Sequence, residues 1–578
     1  MQDLLCISLD ILCKVKMLSS KERKGGFFML IIECSKIKKY YGDRLILDID
    51  NLNIYSEDRI GVVGLNGAGK TTLINILSQR IEPDKGWVKL RGKTEYFSQL
   101  EEPEVYEISS EMASKFGVET LWNENMSGGE KTRFKLAKAL ENESILIFAD
   151  EPTSNMDIEG IELMEKKLTE YKGALIIISH DRSFLDKLCN KIIEIENGKI
   201  KTYEGNYSDY SRQRLHDKER AQFEYEEYIK EKERLGSVIA DTKQKIKSIK
   251  RPPKRMGNSE ARLHKMGGQK AKANLERKVG NLEKRIEHLE VKEKPKKISK
   301  IKIDIMPSDY IHSKIIIEGK KVNKSFGNKI IFKDAEFCIY NGSKVALIGP
   351  NGCGKSTLVK MIIDKDNSIR LSKGAKIGYF SQDMNILNNS LNIIDNVMES
   401  CNYSENFARL LLARLLFKGD DIYKKIDVLS GGEQIKVSFA KILLQDINLL
   451  ILDEPTNYLD INSLEVMEDT LKEYDRTLLF VSHDRSLISK VADHIMTIEN
   501  YKIKTFNGTF AEFKEIQSKK KLDKDVNMQI ILLENRLSDI VGRLSMQLKK
   551  EELEALDKEY YEVLEKLNKL KTLRTTPV

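Results

Sequence analysis

Across its 578 residues the sequence has no run of the ~18–20 consecutive apolar residues that a membrane-spanning helix requires. Its most apolar segments, 144–148 and 449–452 among them, are short and read as buried parallel strands. Cysteine is scarce and scattered: Cys6, Cys13, Cys34, Cys189, Cys338, Cys353 and Cys401. The count is odd and no two have metal-ligand spacing, which argues against a zinc module and for reduced thiols in a cytosol. A secretory leader is not expected either. The early apolar patch LLCISLDIL is spoiled by Asp3 and Asp10, and no small-residue cleavage site follows. Residues 1–28 are expected to be a poorly ordered extension, or to lie upstream of a start at Met29, where the strand-like run MLIIEC opens.

What is present is charge. Hydrophobic residues make up 40% of the chain and charged ones 32%, the composition of a charge-rich globular protein of two to four domains. Between Lys243 and Lys278 stand thirteen Lys/Arg against Glu260 and Glu276, a net of +11. The whole chain carries +8, so the remainder is slightly acidic. A run this basic is commonly a solvated face or tail. This one is internal, keeps apolar residues and lies between two copies of one set of motifs, which favours a contact with a phosphate backbone.

The repeated motifs come in fixed order. Gly64, Asn66, Gly67, Gly69, Lys70, Thr71 and Thr72 belong to one phosphate-binding loop. Gly349, Asn351, Gly352, Gly354, Lys355, Ser356 and Thr357 belong to the other. Each loop follows a strand pattern and opens a helix pattern, the context the motif needs. Glycines turn backbone N–H groups around a phosphate, the lysine reaches its outer oxygens, and Thr71 or Ser356 can ligate Mg²⁺. Gln99 and Gln382 end the strands EYFSQ and GYFSQ, placed to ligate the metal or orient the attacking water.

Ser127, Gly128, Gly129 and Ser430, Gly431, Gly432 start helices with bare backbone donors suited to a γ-phosphate. Asp150 with Glu151, and Asp453 with Glu454, end apolar strands. Each aspartate can hold Mg²⁺ and each glutamate can polarise water. His180 and His483 follow the next strands, within reach of a γ-phosphate. A lone histidine is more often ordinary core or surface; its place after the carboxylate strand reverses that reading. Ser127 to Ser430, Asp150 to Asp453 and His180 to His483 are each offset by 303, but Lys70 to Lys355 by only 285. The first copy is therefore 18 residues shorter between its lysine and its serine, and from glutamine to serine it spans 28 residues against 48.

These motifs resemble the ATP-binding cassette family, whose signature LSGGEQ stands at 429–434. The resemblance covers about 29–203 and 315–507. It implies an ATPase that binds ATP and Mg²⁺, with two α/β P-loop domains closing head to tail on two nucleotides. Lys70 and Glu151 would then work with Ser430 and Gly432, and Lys355 and Glu454 with Ser127 and Gly129. Tyr41 and Phe326 would stack on adenine, although core packing explains such aromatics equally well. Asp157 and Asp460 match the family's loop between the two sites. Met126 stands where the first signature usually has Leu.

After the first cassette a charged helical pattern runs from about Ser208 to Lys250, where Pro252 and Pro253 stop it. A second pattern returns to about Val291. The cationic turn between them carries Lys250, Arg251, Lys254, Arg255, Met256, Arg262 and Lys265. Gly267 and Gly268 argue for a break, leaving open whether 259–265 starts the return helix. A plain spacer needs neither this length nor this charge. The expected organisation is 1–28 extension, 29–205 first cassette, 206–300 helical linker, 301–515 second cassette and 516–578 helical C-terminal extension.

Two cassettes, no membrane domain and a charged helical linker are similar to the ABC-F family. That resemblance implies a cytoplasmic monomer with intramolecular cassette pairing. Its partner would be the ribosome: rRNA of the large subunit, and tRNA near the exit and peptidyl sites. The short first cassette and the long linker look more like the members that protect ribosomes from lincosamides, pleuromutilins and streptogramin A. A general translation factor and, further off, an exporter ATPase subunit remain open readings.

Overall fold

The computed structural model describes residues 20–23, 26–98, 106–142, 144–154, 156–248, 258–289, 292, 313–381, 386–417, 419–457, 459–544 and 550–575. The first cassette opens with β1 (Ser20–Arg23), β2 (Gly26–Tyr41), β3 (Arg44–Tyr55) and β4 (Arg59–Gly64), then α1 (Lys70–Leu77). It continues with β5 (Lys85–Leu90), β6 (Thr94–Ser98), α2 (Ser110–Phe116), α3 (Gly128–Glu141) and β7 (Leu146–Asp150). It closes with α4 (Ile158–Glu170), β8 (Ala174–Ile178), α5 (Arg182–Leu188), β9 (Lys191–Glu196) and β10 (Lys199–Glu204).

The linker is α6 (Tyr207–Ser248) and α7 (Asn258–Glu287). The second cassette repeats the plan with β11 (Ile315–Phe326), β12 (Lys329–Tyr340), β13 (Lys344–Ile348), α8 (Lys355–Ile363), β14 (Ile369–Leu371) and β15 (Ile377–Phe380). Then come α9 (Ile393–Met398), α10 (Glu405–Arg414), α11 (Gly431–Leu443), β16 (Leu449–Asp453), α12 (Ile461–Glu473) and β17 (Thr477–Val481). The last elements are α13 (Arg485–Val491), β18 (His494–Glu499), β19 (Lys502–Asn507), α14 (Phe510–Leu544) and α15 (Lys550–Thr575).

Each cassette is built on a six-stranded sheet, ordered β10-β9-β4-β8-β7-β6 and β15-β16-β17-β13-β18-β19. The pairs are parallel except β9–β10 and β18–β19. Parallel strands buried on both faces need apolar residues at every position. A second, antiparallel sheet, β1-β2-β3 with β5 beside β2, shares a core with Leu146 and Phe148 of β7, while Ile147 and Ala149 join the helical core opposite. In β16, Leu449 and Ile451 face one core and Leu450 and Leu452 the other. The sheets thereby fix the carboxylates that follow them.

Three expectations change. Ser20–Arg23 pairs with Gly26–Met29 as a hairpin, so residues 20–23 and 26–28 are strand rather than poorly ordered. The pairing satisfies backbone groups of a strand that starts at Gly26, three residues before Met29. Residues 1–19 lie outside the described residues. α7 runs unbroken through Gly267 and Gly268. Two glycines cost a helix roughly 1 kcal/mol each, and the flanking Lys, Met, Gln and Ala residues are strong helix formers. The boundary expected at 515 falls inside α14, which leaves the cassette without a break.

With 42 residues, α6 is about 60 Å long. α7 lies antiparallel to it through buried Leu235, Ile239 and Val279. Ion pairs Lys243–Glu283 (2.8 Å) and Arg285–Glu231 (3.3 Å) flank that seam. Lys250, Arg251, Lys254, Arg255 and Met256 lie outside the described residues; Arg262 and Lys265 fall in the first turns of α7. At its root α6 is tied down twice. Glu194 accepts from Tyr210 Oη (2.9 Å) and pairs with Arg214 Nε (2.9 Å), and Arg214 Nη1 donates to Asn462 Oδ1 of the second cassette (3.0 Å). α14 and α15 pack as a hairpin around Ile540 and Val563.

Candidate nucleotide sites

Both phosphate loops hold their lysine at the first turn of a helix. Lys70 Nζ donates to Gly64 O (2.9 Å) and Leu65 O (3.2 Å); Lys355 Nζ donates to Gly349 O (2.9 Å) and Pro350 O (3.1 Å). The preceding Gly69 and Gly354 have φ of 98° and 109°. A Cβ at Gly69 would stand 2.8 Å from Ile46 Cγ2, and one at Gly354 2.4 Å from Ile331 Cγ2. A Cβ at Gly67 or Gly352 would meet nothing within 4 Å, so each loop is open there. Burial lowers the Lys70 pKa, and Glu151, Asp460 and Asp150 oppose that shift.

Asp150 and Asp453 are the last residues of β7 and β16. Ser356 Oγ donates to Asp453 Oδ1 at 3.3 Å, and burial raises the pKa of that aspartate. A hydroxyl beside a carboxylate is an oxygen pair suited to Mg²⁺. Glu151 and Glu454 leave their strands with φ of 47° and 49°, the left-handed region. Strain of this kind clusters at functional sites. Both backbones are anchored, Glu151 N to Ile178 O (2.9 Å) and Glu454 N to Val481 O (3.0 Å).

His180 Nε2 lies 3.2 Å from Glu151 Oε1, and His483 Nε2 3.5 Å from Glu454 Oε1. Burial pushes each glutamate up to about 8 and each histidine down to about 4. The approaches are misaligned for hydrogen bonding. Glu151 Oε1, His180 Nδ1 and both ring nitrogens of His483 are buried without a hydrogen-bond partner. Such orphans cost about 1–3 kcal/mol each, so these groups fit a polar ligand.

The signature serines cap their helices. Ser127 and Glu130 form a capping box on α3, and Ser430 and Glu433 form one on α11. One cavity of about 970 Å³ joins the two cassettes. Its lining includes Tyr41, Asn66, Gly67, Gly69, Lys70, Thr71, Thr72, Asp150, Glu151 and His180 from the first, and Ser430, Gly431 and Gly432 from the second. Asn351, Glu454 and His483 of the second cassette line it as well.

The reciprocal side is marked by Asp157, which caps α4 and accepts from Asn351 N at 3.2 Å. A Cβ at Gly129 would lie 3.9 Å from Asn351 Nδ2. Gly128 is the first residue of α3, and Thr357 lies in the first turn of α8. Tyr41 and Phe326 are 52% and 58% exposed, so neither is core packing. Gln99 and Gln382 lie outside the described residues, immediately or shortly after β6 and β15.

Sequence reasoning missed the ion pairs that two buried arginines make across the interface. Arg182 Nη2 meets Glu468 Oε1 at 2.6 Å, and Arg485 pairs with Glu165 and, at 3.0 Å, with Asp181. The triplet His-Asp-Arg recurs at 180–182 and 483–485, which singles out the two arginines but not their acidic partners.

A profile of the ABC transporter family matches residues 47–118 and 332–457. The ribosome protection protein VmlR of Bacillus subtilis (strain 168) is 29% identical over 559 residues, 93% of this chain and 98% of the relative. The erythromycin resistance ATP-binding protein MsrA of Staphylococcus epidermidis is 32% identical over 470 residues, 80% of this chain and 96% of the relative. ABC transporter F family member 5 of Arabidopsis thaliana is 29% identical over 565 residues, covering 84% and 77%. Among solved structures, an archaeal ribosome recycling factor aABCE1 complex matches with a TM-score of 0.56 at 19% identity, covering 84% of this chain and 92% of that one, a likeness of fold. The chain is an ATPase and belongs to the ABC-F family of ATP-binding cassette proteins.

Proposed function

We propose that this ATPase acts on the ribosome and protects it from antibiotics bound near the peptidyl-transferase centre. Three relatives support the reading by name: a ribosome protection protein, an erythromycin resistance protein and the translational throttle protein EttA of Mycobacterium tuberculosis (strain CDC 1551 / Oshkosh). The observation that carries it is the root of α6. Arg214 touches Glu194 of one cassette and Asn462 of the other, so closure of the cassettes fixes where the hairpin points. Among the described residues no helix is long and apolar enough to cross a membrane. An exporter subunit leaves the hairpin without a role.

In this reading the two phosphate loops bind ATP, and Ser127, Gly129, Ser430 and Gly432 complete the opposite sites. Tyr41 and Phe326 offer exposed rings to the base. Thr71, Asp150, Gln99 and Ser356, Asp453, Gln382 would hold Mg²⁺, which when bound neutralises phosphate charge. Glu151 and Glu454 polarise the attacking water, and His180 and His483 face the terminal phosphate. Lys250, Arg251, Lys254, Arg255, Arg262 and Lys265 contact RNA phosphates, with Met256 at the tip. Hydrolysis reopens the cassettes and releases the protein.

The test is a panel of minimum inhibitory concentrations in one host with and without the gene. Raised values for lincosamides, pleuromutilins or streptogramin A support protection. Unchanged values, with ribosome binding intact, support the second reading, a general translation factor, which the likeness to EttA favours.

A further inference from the structure

Each cassette sends one helix into the other's site. α4 begins at Asp157, which accepts from Asn351 N in the second phosphate loop (3.2 Å). Eight residues on, about 12 Å along the helix, Glu165 of α4 holds Arg485. Arg485 is two residues from His483, whose Nε2 lies 3.5 Å from Glu454 Oε1. Phosphate loop, helix, arginine, histidine segment and carboxylate thus form a ring around one site, with links from both cassettes. The other site repeats the arginine link. α12 begins at Asp460, whose charge acts on Lys70 and His180. Its Glu468 holds Arg182 at 2.6 Å, two residues after His180.

The acids are deeply placed, Glu468 at 1% and Glu165 at 5% exposure. Each also holds a lysine of its own cassette: Lys187 on Glu165 (2.7 Å) and Lys490 on Glu468 (2.6 Å). Arg485 further meets Asp181 at 3.0 Å, joining the histidine segments of the two sites directly. Ions this buried are costly to hold unless paired, and apolar residues would serve adhesion as well or better. Their position between a phosphate loop and a histidine segment gives the charges another use.

We propose that Arg182 and Arg485 are positioning residues that make hydrolysis at each site conditional on closure of the opposite cassette. With the cassettes apart, Glu165 and Glu468 leave, and the segments carrying His483 and His180 lose the anchor that sets them against Glu454 and Glu151. With the cassettes together, both segments are clamped and linked through Arg485 and Asp181. The inference rests on Glu151 and Glu454 as the hydrolytic carboxylates, and not on the ribosomal reading.

The experiment compares Arg485→Met, Glu165→Met and the double variant with the native full-length protein. Phosphate release gives kcat, a fluorescent ATP analogue gives affinity, and thermal melting gives stability. The double variant removes both members of the buried Arg485–Glu165 pair and leaves Asp181 to its helix-capping bond from Phe184 N, so it carries the test where a single variant fails to fold. The expected result is a kcat at least tenfold down in the double variant, affinity within threefold of native and melting unchanged or raised. A double variant with native kcat shows an adhesive pair and overturns the proposal. A fall in affinity as large as that in kcat overturns it too. Glu454→Gln separates the premise: if that variant turns over at the native rate, the carboxylate assignment has failed, whatever Arg485 does.

Discussion

His180 Nε2 stands 3.2 Å from Glu151 Oε1 in a pair whose two members are both shifted towards their neutral forms by burial. The glutamate titrates at about 8 and the histidine at about 4. Water activation needs the carboxylate ionised. ATPase kcat/KM is therefore expected to rise with pH and level off above about 8, with no limb from histidine above about 4. Glu151→Gln with Glu454→Gln removes that limb and lowers turnover by roughly 10²–10⁴-fold while leaving ATP affinity in place. Initial rates across pH 5 to 9.5 check both.

The same shift has a consequence for stability. The folded glutamate keeps its proton to about pH 8, whereas the unfolded one releases it near 4.5. The native state thus binds more protons between those values, and stability falls as pH rises through them. Glu151→Gln is expected to melt higher than the native protein, by a margin that widens from pH 5 to pH 8. Melting curves without nucleotide at several pH values measure it.

Gly354 is the tighter of the two loop glycines. With φ of 109° and Ile331 Cγ2 2.4 Å from any Cβ, Gly354→Ala must distort the loop. Backbone strain alone predicts a loss of about 1–3 kcal/mol. The second phosphate loop is expected to lose ATP and the first to keep it, so bound nucleotide per chain falls towards half, as equilibrium dialysis would show.

Arg214 links the linker root to both cassettes. Arg214→Ala is expected to leave ATP affinity within about twofold and to weaken ATP-dependent ribosome binding at least tenfold. Equal ribosome binding by both proteins would remove the root from the account.

The loops, signatures and carboxylate strands were legible because their chemistry is local: Lys70, Ser127 and Glu151 each announce themselves within a few residues. The cassette fold followed from strands such as 146–150, apolar at nearly every position. The unbroken α7 was not legible, since strong helix formers around Gly267 and Gly268 outweighed the local signal for a break. Nor was the Arg485–Glu165 pair, which joins residues 320 apart and depends on how the cassettes meet. The exposure of Tyr41 and Phe326 argues against the core packing that spacing left open for them.

The most direct measurement is co-sedimentation of the Glu151→Gln, Glu454→Gln protein with ribosomes in ATP. The comparison protein also carries alanine at Lys250, Arg251, Lys254 and Arg255. The first is expected in the ribosomal pellet and the second in the supernatant, with ATP affinity equal for both. A weaker salt dependence, by about one unit of slope for each lost phosphate contact, should accompany any residual binding. Equal pelleting of the two proteins, or a first protein that stays free of ribosomes, would contradict the account.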